Sequence, residues 1–201
     1  MNPVPLRERN RQRIRQRIIA AAAELFHDSG YSQTTMDDIA QKAEISRATL
    51  FNYFRTKDAL LIPFGVEIFQ RQIQPQLTAY LDSQPPTLDA FRFLFMNIHE
   101  HVFAVPKMDR AIKRAFIQPK TVEHSIPVYD AGLSDSLMEI LRYGQQRGEV
   151  RTDISLQQQG RYIAALCISV FHALVMQSED IDYESEVDAM LSFIQSGIQP
   201  Q

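Results

Sequence analysis

Thr34-Thr35-Met36-Asp37-Asp38-Ile39-Ala40-Gln41-Lys42-Ala43, then Glu44-Ile45, then Ser46-Arg47-Ala48-Thr49-Leu50-Phe51-Asn52-Tyr53-Phe54: residues 34–54 read as two short helices and the turn between them. Thr34 and Thr35 each have an aspartate three positions later, Asp37 or Asp38. That is close to a capping box, and it places acid at the positive end of a helix. Met36, Ile39, Ala40 and Ala43 recur at i, i+3, i+4 and i+7 and give that helix one buried face. Ser46 is a good N-cap for a helix through about Phe54, whose Leu50 and Phe54, four apart, must face inward. Two short helices joined across three or four residues, with apolar Ile45 in the turn, make a helix-turn-helix.

Helical periodicity continues on both sides. Upstream, Ile14, Ile18, Ala22, Leu25 and Phe26 share one face of a helix over about Arg9–Ser29, which Gly30 ends. Downstream, a long helix is expected from Ala59 to about Leu81, and Pro85-Pro86 break the chain. Thr87 can cap a helix to about Ala104, apolar on most sides and therefore buried. A short helix follows over about Met108–Gln118. Three more are expected over about Tyr129–Arg147, ending at Gly148, Leu156–Gln177 and Tyr183–Ile198. The fold class read from this pattern is all-α, with about nine helices.

The formal net charge of −3 over 201 residues hides a split. Residues 1–60 hold ten Lys/Arg against seven Asp/Glu, and residues 61–201 hold eleven against seventeen, so the segments carry +3 and −6. A basic contact surface carried by an acidic body is implied. Six arginines occupy the odd positions from Arg7 to Arg17. A helix would scatter them onto two opposite faces, whereas an extended chain aligns them, so the first few are read as a flexible arm that meets DNA phosphates or the minor groove; a solubility tail is the alternative. The single cysteine, Cys167, cannot form an internal disulfide. With no export signal, and with Ser169 and His172 interrupting the longest apolar stretch, a cytoplasmic protein is expected.

The head resembles a known family. Ile18-Ile19-Ala20-Ala21-Ala22-Ala23-Glu24-Leu25-Phe26, Gly30-Tyr31, Thr34 to Ala40, Ile45 to Phe54 and Lys57-Asp58-Ala59-Leu60-Leu61 are similar to the DNA-binding head of tetracycline-repressor (TetR) regulators, over about residues 10–62. Arg147-Gly148-Glu149-Val150 also resembles the family's turn before its dimerisation helices. The resemblance implies a helix-turn-helix head with a basic N-terminal arm over residues 1–55, and an effector-binding and dimerisation body over 56–201. The function implied is a transcription regulator, in the family's commoner mode a repressor, that binds a palindromic operator as a homodimer.

The third helix should enter the major groove with the side chains its core does not use. Ser46, Arg47, Thr49, Asn52 and Tyr53 are the candidates. Arg47 can take guanine O6/N7 and Asn52 adenine N6/N7, while Thr49 can meet a thymine methyl or a phosphate. By resemblance Tyr53 and Lys57 contact the DNA backbone, and Thr35, at a helix start, would do the same. Two departures from the family stand here. Glu44 and Ala48 occupy positions that often hold Gly, and Glu44 is tolerable in the turn if it is not at positive φ, although its charge lies near phosphates. Phe51 replaces a frequent Tyr and is read as packing.

In the body, the last two helices carry long apolar stripes, and Ile163, Cys167, Val170, Leu174, Val187, Leu191 and Ile194 are expected at the dimer interface. The central helices, where the family houses its ligand pocket, hold Phe91, Phe95, Met96, His99, Phe103, Phe116, Tyr129, Met138 and Phe171. These suit a small hydrophobic or aromatic effector, although each taken singly also suits a core. His99 and His101, two apart on a helix, point about 200° apart and do not chelate from one face, so no metal or other cofactor is expected. No phosphate loop or nucleophile elbow supports an enzyme. A regulator controlled by a protein partner, or by no ligand, remains the other reading.

Overall fold

The computed structural model describes residues 5–103, 128–176 and 182–200. Among the described residues there are eight helices and no strand. In the head, α1 is Leu6–Asp28, α2 is Met36–Lys42 and α3 is Arg47–Tyr53. A 3-10 turn, Asp58–Leu60, leads into α4, which runs as Leu61–Ile68, a π-helical stretch Phe69–Ile73, and Gln74–Asp82. α5 is Thr87–Ile98 and continues as a π turn, His99–Phe103. α6 is Val128–Gln146, α7 is Leu156–Met176 and α8 is Tyr183–Ile198. The expected short helix over Met108–Gln118 lies outside the described residues.

α1 starts earlier than its apolar pattern suggests. The first helical residue is Leu6, so Arg7, Arg9, Arg11 and Arg13 sit on an exposed helix rather than in an extended arm. Helix propensity explains the difference: Leu, Arg, Glu and Gln are good helix formers, and the run needs no buried face once Ile18 to Phe26 anchor its far end. Gly30 at φ +87 and Gly148 at φ +72 terminate α1 and α6 in the left-handed conformation that glycine adopts without a Cβ clash.

One apolar core runs through the molecule. Ile18, Ala22 and Phe26 meet Ile39, Ala40, Leu50 and Phe54 in the head, and the cluster continues along α4 through Leu60, Phe64 and Ile68. It reaches Phe91, Leu94 and Phe95 of α5 and Leu133, Leu137, Ile140 and Leu141 of α6, all within 1% exposure. α5 packs on α4, α6 and α8, α6 packs on α7, and α7 packs on α8.

The start of α5 is capped from another element. Thr87 is the first helical residue and is buried, and both its backbone N–H (2.8 Å) and its hydroxyl (2.7 Å) donate to Glu149 Oε2. Thr87 therefore hands the capping role to a carboxylate beyond Gly148, which Arg147 Nε meets at 2.8 Å. The Thr87 hydroxyl foremost, then its N–H and Arg147, hold the Glu149 carboxyl below its usual 4.5 against an opposing burial effect. A lowered folded pKa gives stability that is complete above the usual value and lost as pH falls through the folded one. Thermal melts from neutral pH to about 3 should show the wild type losing an increment in acid. Glu149→Gln lacks that increment at every pH, so the two curves converge in acid.

Candidate nucleic-acid interface

The turn between α2 and α3 is held by its own side chains. Thr35 caps α2 in a complete capping box: its Oγ1 accepts from the Asp38 N–H at 3.2 Å, and its N–H donates to Asp38 Oδ2 at 2.8 Å. The Thr35 hydroxyl, which also donates to Asp38 Oδ2 at 2.7 Å, and then the Thr35 N–H hold the exposed Asp38 carboxyl below the usual carboxylate range. The choice between the two threonines is thus settled, because Thr34 is buried and spends its hydroxyl on the Gly30 carbonyl at 2.8 Å. Ser46 Oγ caps α3 by accepting from the Thr49 N–H at 3.1 Å.

Glu44 does occupy the left-handed region, at φ +51, which overturns the expectation that allowed it in the turn only at negative φ. The Ile45 N–H returns to the Ala40 carbonyl at 3.0 Å, and this closure of the α2 C-terminus demands a left-handed residue between them. Arg17 supports the strained turn by donating to the Ala43 carbonyl, with Glu44 Oε2 at 3.4 Å. Glu44→Gly should raise stability by about 0.5–1 kcal/mol, since glycine does not clash at positive φ. It should also tighten DNA binding by removing a carboxylate. Denaturant midpoints and a salt titration of DNA affinity measure the two effects.

The exposed side of α3 carries Arg47, Ala48 and Asn52, while Thr49, Phe51 and Tyr53 are half-buried. Leu50 and Phe54 point inward as expected. The Arg47 guanidinium is aimed by two neighbours: its Nη1 donates to Asp37 Oδ2 at 3.1 Å, and it lies over the Phe51 ring at 5.4 Å. Phe51 therefore acts as a platform for Arg47 as well as packing. Tyr53 packs against the core.

Lys57, expected at the DNA backbone, is engaged within the head in the free chain. Its ammonium donates to the carbonyls of Tyr31 (2.6 Å) and Thr34 (2.8 Å) and lies 4.1 Å from the Tyr31 ring centre. The Tyr31 hydroxyl donates to Asp58. Lys57 and Asp58 thus bind the loop between α1 and α2 to the start of α4, with Phe26, Tyr31 and Phe64 packed edge-on alongside.

In the body, Phe91 and Phe95 are 0% exposed, so no water-sized space reaches them, and they are core side chains here. Phe171 is buried, 6.5 Å from the Tyr183 ring and parallel to it. His99 stacks on Tyr183 at 4.0 Å, and the Tyr183 hydroxyl donates to the Phe95 carbonyl at 2.7 Å. Met96, His99 and Met138 are half-buried. Phe116 lies outside the described residues, as do the side chains of Phe103 and Tyr129. Sequence reasoning missed Asn97, which is 7% exposed and has an Oδ1 with no hydrogen-bond partner among the described residues. The signal was available: an amide in a helix otherwise apolar on most sides. Clefts open beside two of the helix ends. One of about 570 Å³ lies between α1 and α2 beside Leu25, Gln33 and Lys42, and one of about 310 Å³ lies beside Thr87, Glu149 and Ile198. Neither is lined by the expected effector residues.

The expected interface residues need correction. Ile163, Cys167, Val187, Leu191 and Ile194 are each no more than 9% exposed within a single chain, so they are core and cannot be presented to a partner. Val170 is half-buried, and the Leu174 side chain lies outside the described residues. Burial pushes the Cys167 thiol far above its usual pKa, which leaves it a small hydrophobe. The outward sides of the same helices carry Tyr162, 59% exposed, and Phe193, 69% exposed.

Comparison with known proteins agrees with this geometry. The model of bacterial regulatory proteins of the tetR family matches residues 18–62. The HTH-type transcriptional regulator UidR of Escherichia coli K12 is 26% identical over 200 residues, spanning 93% of each chain. The probable acrEF/envCD operon repressor of the same strain is 26% identical over 156 residues, spanning 71% of this chain and 67% of that one. Among solved structures, Thermus thermophilus FadR, a TetR family transcriptional repressor in complex with lauroyl-CoA, superposes with a TM-score of 0.73. It is 27% identical and covers 91% of this chain and 94% of its own. Among the described residues no helix is long and apolar enough to cross a membrane.

Proposed function

The chain belongs to the TetR family of helix-turn-helix transcription regulators, and on that premise we propose that it represses transcription by binding a palindromic operator as a homodimer. The observation that carries this reading is α3: seven residues, capped by Ser46, with Arg47 held outward by Asp37 and Phe51 and with Asn52 exposed beside it. Such a helix fits the major groove and offers donors to guanine and adenine edges. The head is residues 1–55 and the body 56–201, and the site of action is the cytoplasm, where the DNA lies. Enriching genomic fragments with the purified protein and footprinting them should reveal a palindrome; enrichment of no sequence overturns the reading.

One head reads too few base pairs to be selective, which is the physical reason for a two-fold dimer. The face proposed for it is the outward side of α7 and α8. There Tyr162 and Phe193 stand among small residues such as Ala165, Ala189 and Ser192, which allow close helix approach.

The effector is a small hydrophobic molecule bound among the central helices. Support comes from the half-buried Met96, His99 and Met138 and from the relative whose structure holds lauroyl-CoA. The closed packing of Phe91 and Phe95 favours the other reading, control by a protein partner or by no ligand. Screening compounds for release of the enriched operator separates the two.

A further inference from the structure

Asp37 is an exposed carboxylate on the face that the proposed function turns towards DNA phosphates. There it opposes every sequence equally unless it gains something from a base. The capping box is completed by Asp38, which leaves Asp37 only the weak attraction of an exposed first-turn carboxylate to the positive helix end. Its ion pair with Arg47 joins side chains that are 60% and 66% exposed, and such pairs contribute little to stability. Its Oδ2 accepts from Arg47 Nη1 at 3.1 Å, and Oδ1 makes no hydrogen bond among the described residues.

We propose that Asp37 is a base-reading residue: with Arg47 donating to guanine, Asp37 accepts a hydrogen bond from the N4 amino group of the paired cytosine. The proposal rests on the DNA-binding reading above and adds a residue and a base to it. The major-groove edge of a G·C pair runs acceptor, acceptor, donor, from guanine N7 and O6 to cytosine N4. The Arg47–Asp37 pair runs donor, donor, acceptor. Guanine O6 and cytosine N4 are hydrogen-bonded to each other and so lie about 3 Å apart. That matches the 3.1 Å between Arg47 Nη1 and Asp37 Oδ2, so the two side chains meet both bases without separating. Arginine alone recognises the guanine; the carboxylate adds a demand for an amino donor next to it and rejects a pair that places an acceptor there.

The test uses the operator enriched by the full-length protein, synthesised with single cytosines replaced by an analogue lacking the 4-amino group, and single guanines by 7-deazaguanine. Wild type should lose roughly tenfold in affinity at one cytosine, the partner of a guanine whose 7-deaza replacement no longer matters in Arg47→Ala. Asp37→Ala should bind the unmodified and amino-less operators equally, and should bind unrelated DNA as well as wild type or better. Asp37→Asn, which keeps an acceptor oxygen, should recover part of the discrimination, and circular dichroism verifies that both variants fold. An equal loss in wild type and Asp37→Ala, or the absence of any amino-sensitive cytosine in wild type, overturns the proposal while leaving DNA binding intact. Failure of wild type to enrich any sequence overturns both.

Discussion

Phe193→Glu is expected to break the proposed dimer into monomers and to lower operator affinity by roughly two orders of magnitude or more. Phe193 is 69% exposed on α8 and makes no part of the core, so the substitution leaves the single chain's packing untouched. In a two-fold interface every residue occurs twice, so two glutamates would be buried without partners, at a cost of several kcal/mol. Loss of the dimer also loses the second head, whose linkage is worth about 10²–10⁴ in avidity. Analytical ultracentrifugation and an operator titration read the two effects, with circular dichroism as the control. A variant that remains dimeric would place the interface elsewhere. Val187→Ala is the useful contrast: that side chain is 0% exposed, so its truncation should lower stability and leave the association state alone.

Arg47→Ala is expected to abolish selective DNA binding while preserving the fold. Each good bidentate contact to a guanine contributes ~1–3 kcal/mol of discrimination, and the proposed dimer loses two of them. The exposed pair with Asp37 contributes little to stability, so the melting temperature should change by no more than a few degrees. Affinity for unrelated DNA should fall far less than affinity for the operator. A uniform loss across all sequences would make Arg47 a phosphate contact rather than a reader.

The head was the most legible part of the chain because its signals are local. A capping box, an N-cap and an i, i+4 inward pair each depend on residues within one turn, and Thr35–Asp38, Ser46–Thr49 and Leu50–Phe54 all stand where the pattern put them. Glu44 shows where local reading failed. Its residue type argues against a left-handed conformation, yet the closing bond from Ile45 to Ala40 imposes one, with Arg17 reaching the turn from α1. Lys57 shows a related gap: a basic residue at the edge of the head reads as a phosphate contact, and only the folded chain brings the carbonyls of Tyr31 and Thr34 to its ammonium.

By itself the sequence determined the all-helical class, the order of the helices and the two short helices of the helix-turn-helix, because hydrophobic period and capping chemistry are properties of neighbouring residues. Tertiary structure alone decided which side of α7 and α8 is turned inward. A stripe such as Ile163, Cys167, Val187 and Leu191 announces that something covers it, but not whether the cover belongs to the same chain. Here α5, α6 and each other's flanks close over the stripe, which leaves Tyr162 and Phe193 outside. Only the fold, likewise, set Asp37 of one helix against Arg47 of the next, because ten residues of chain had to turn back before the two charges could meet.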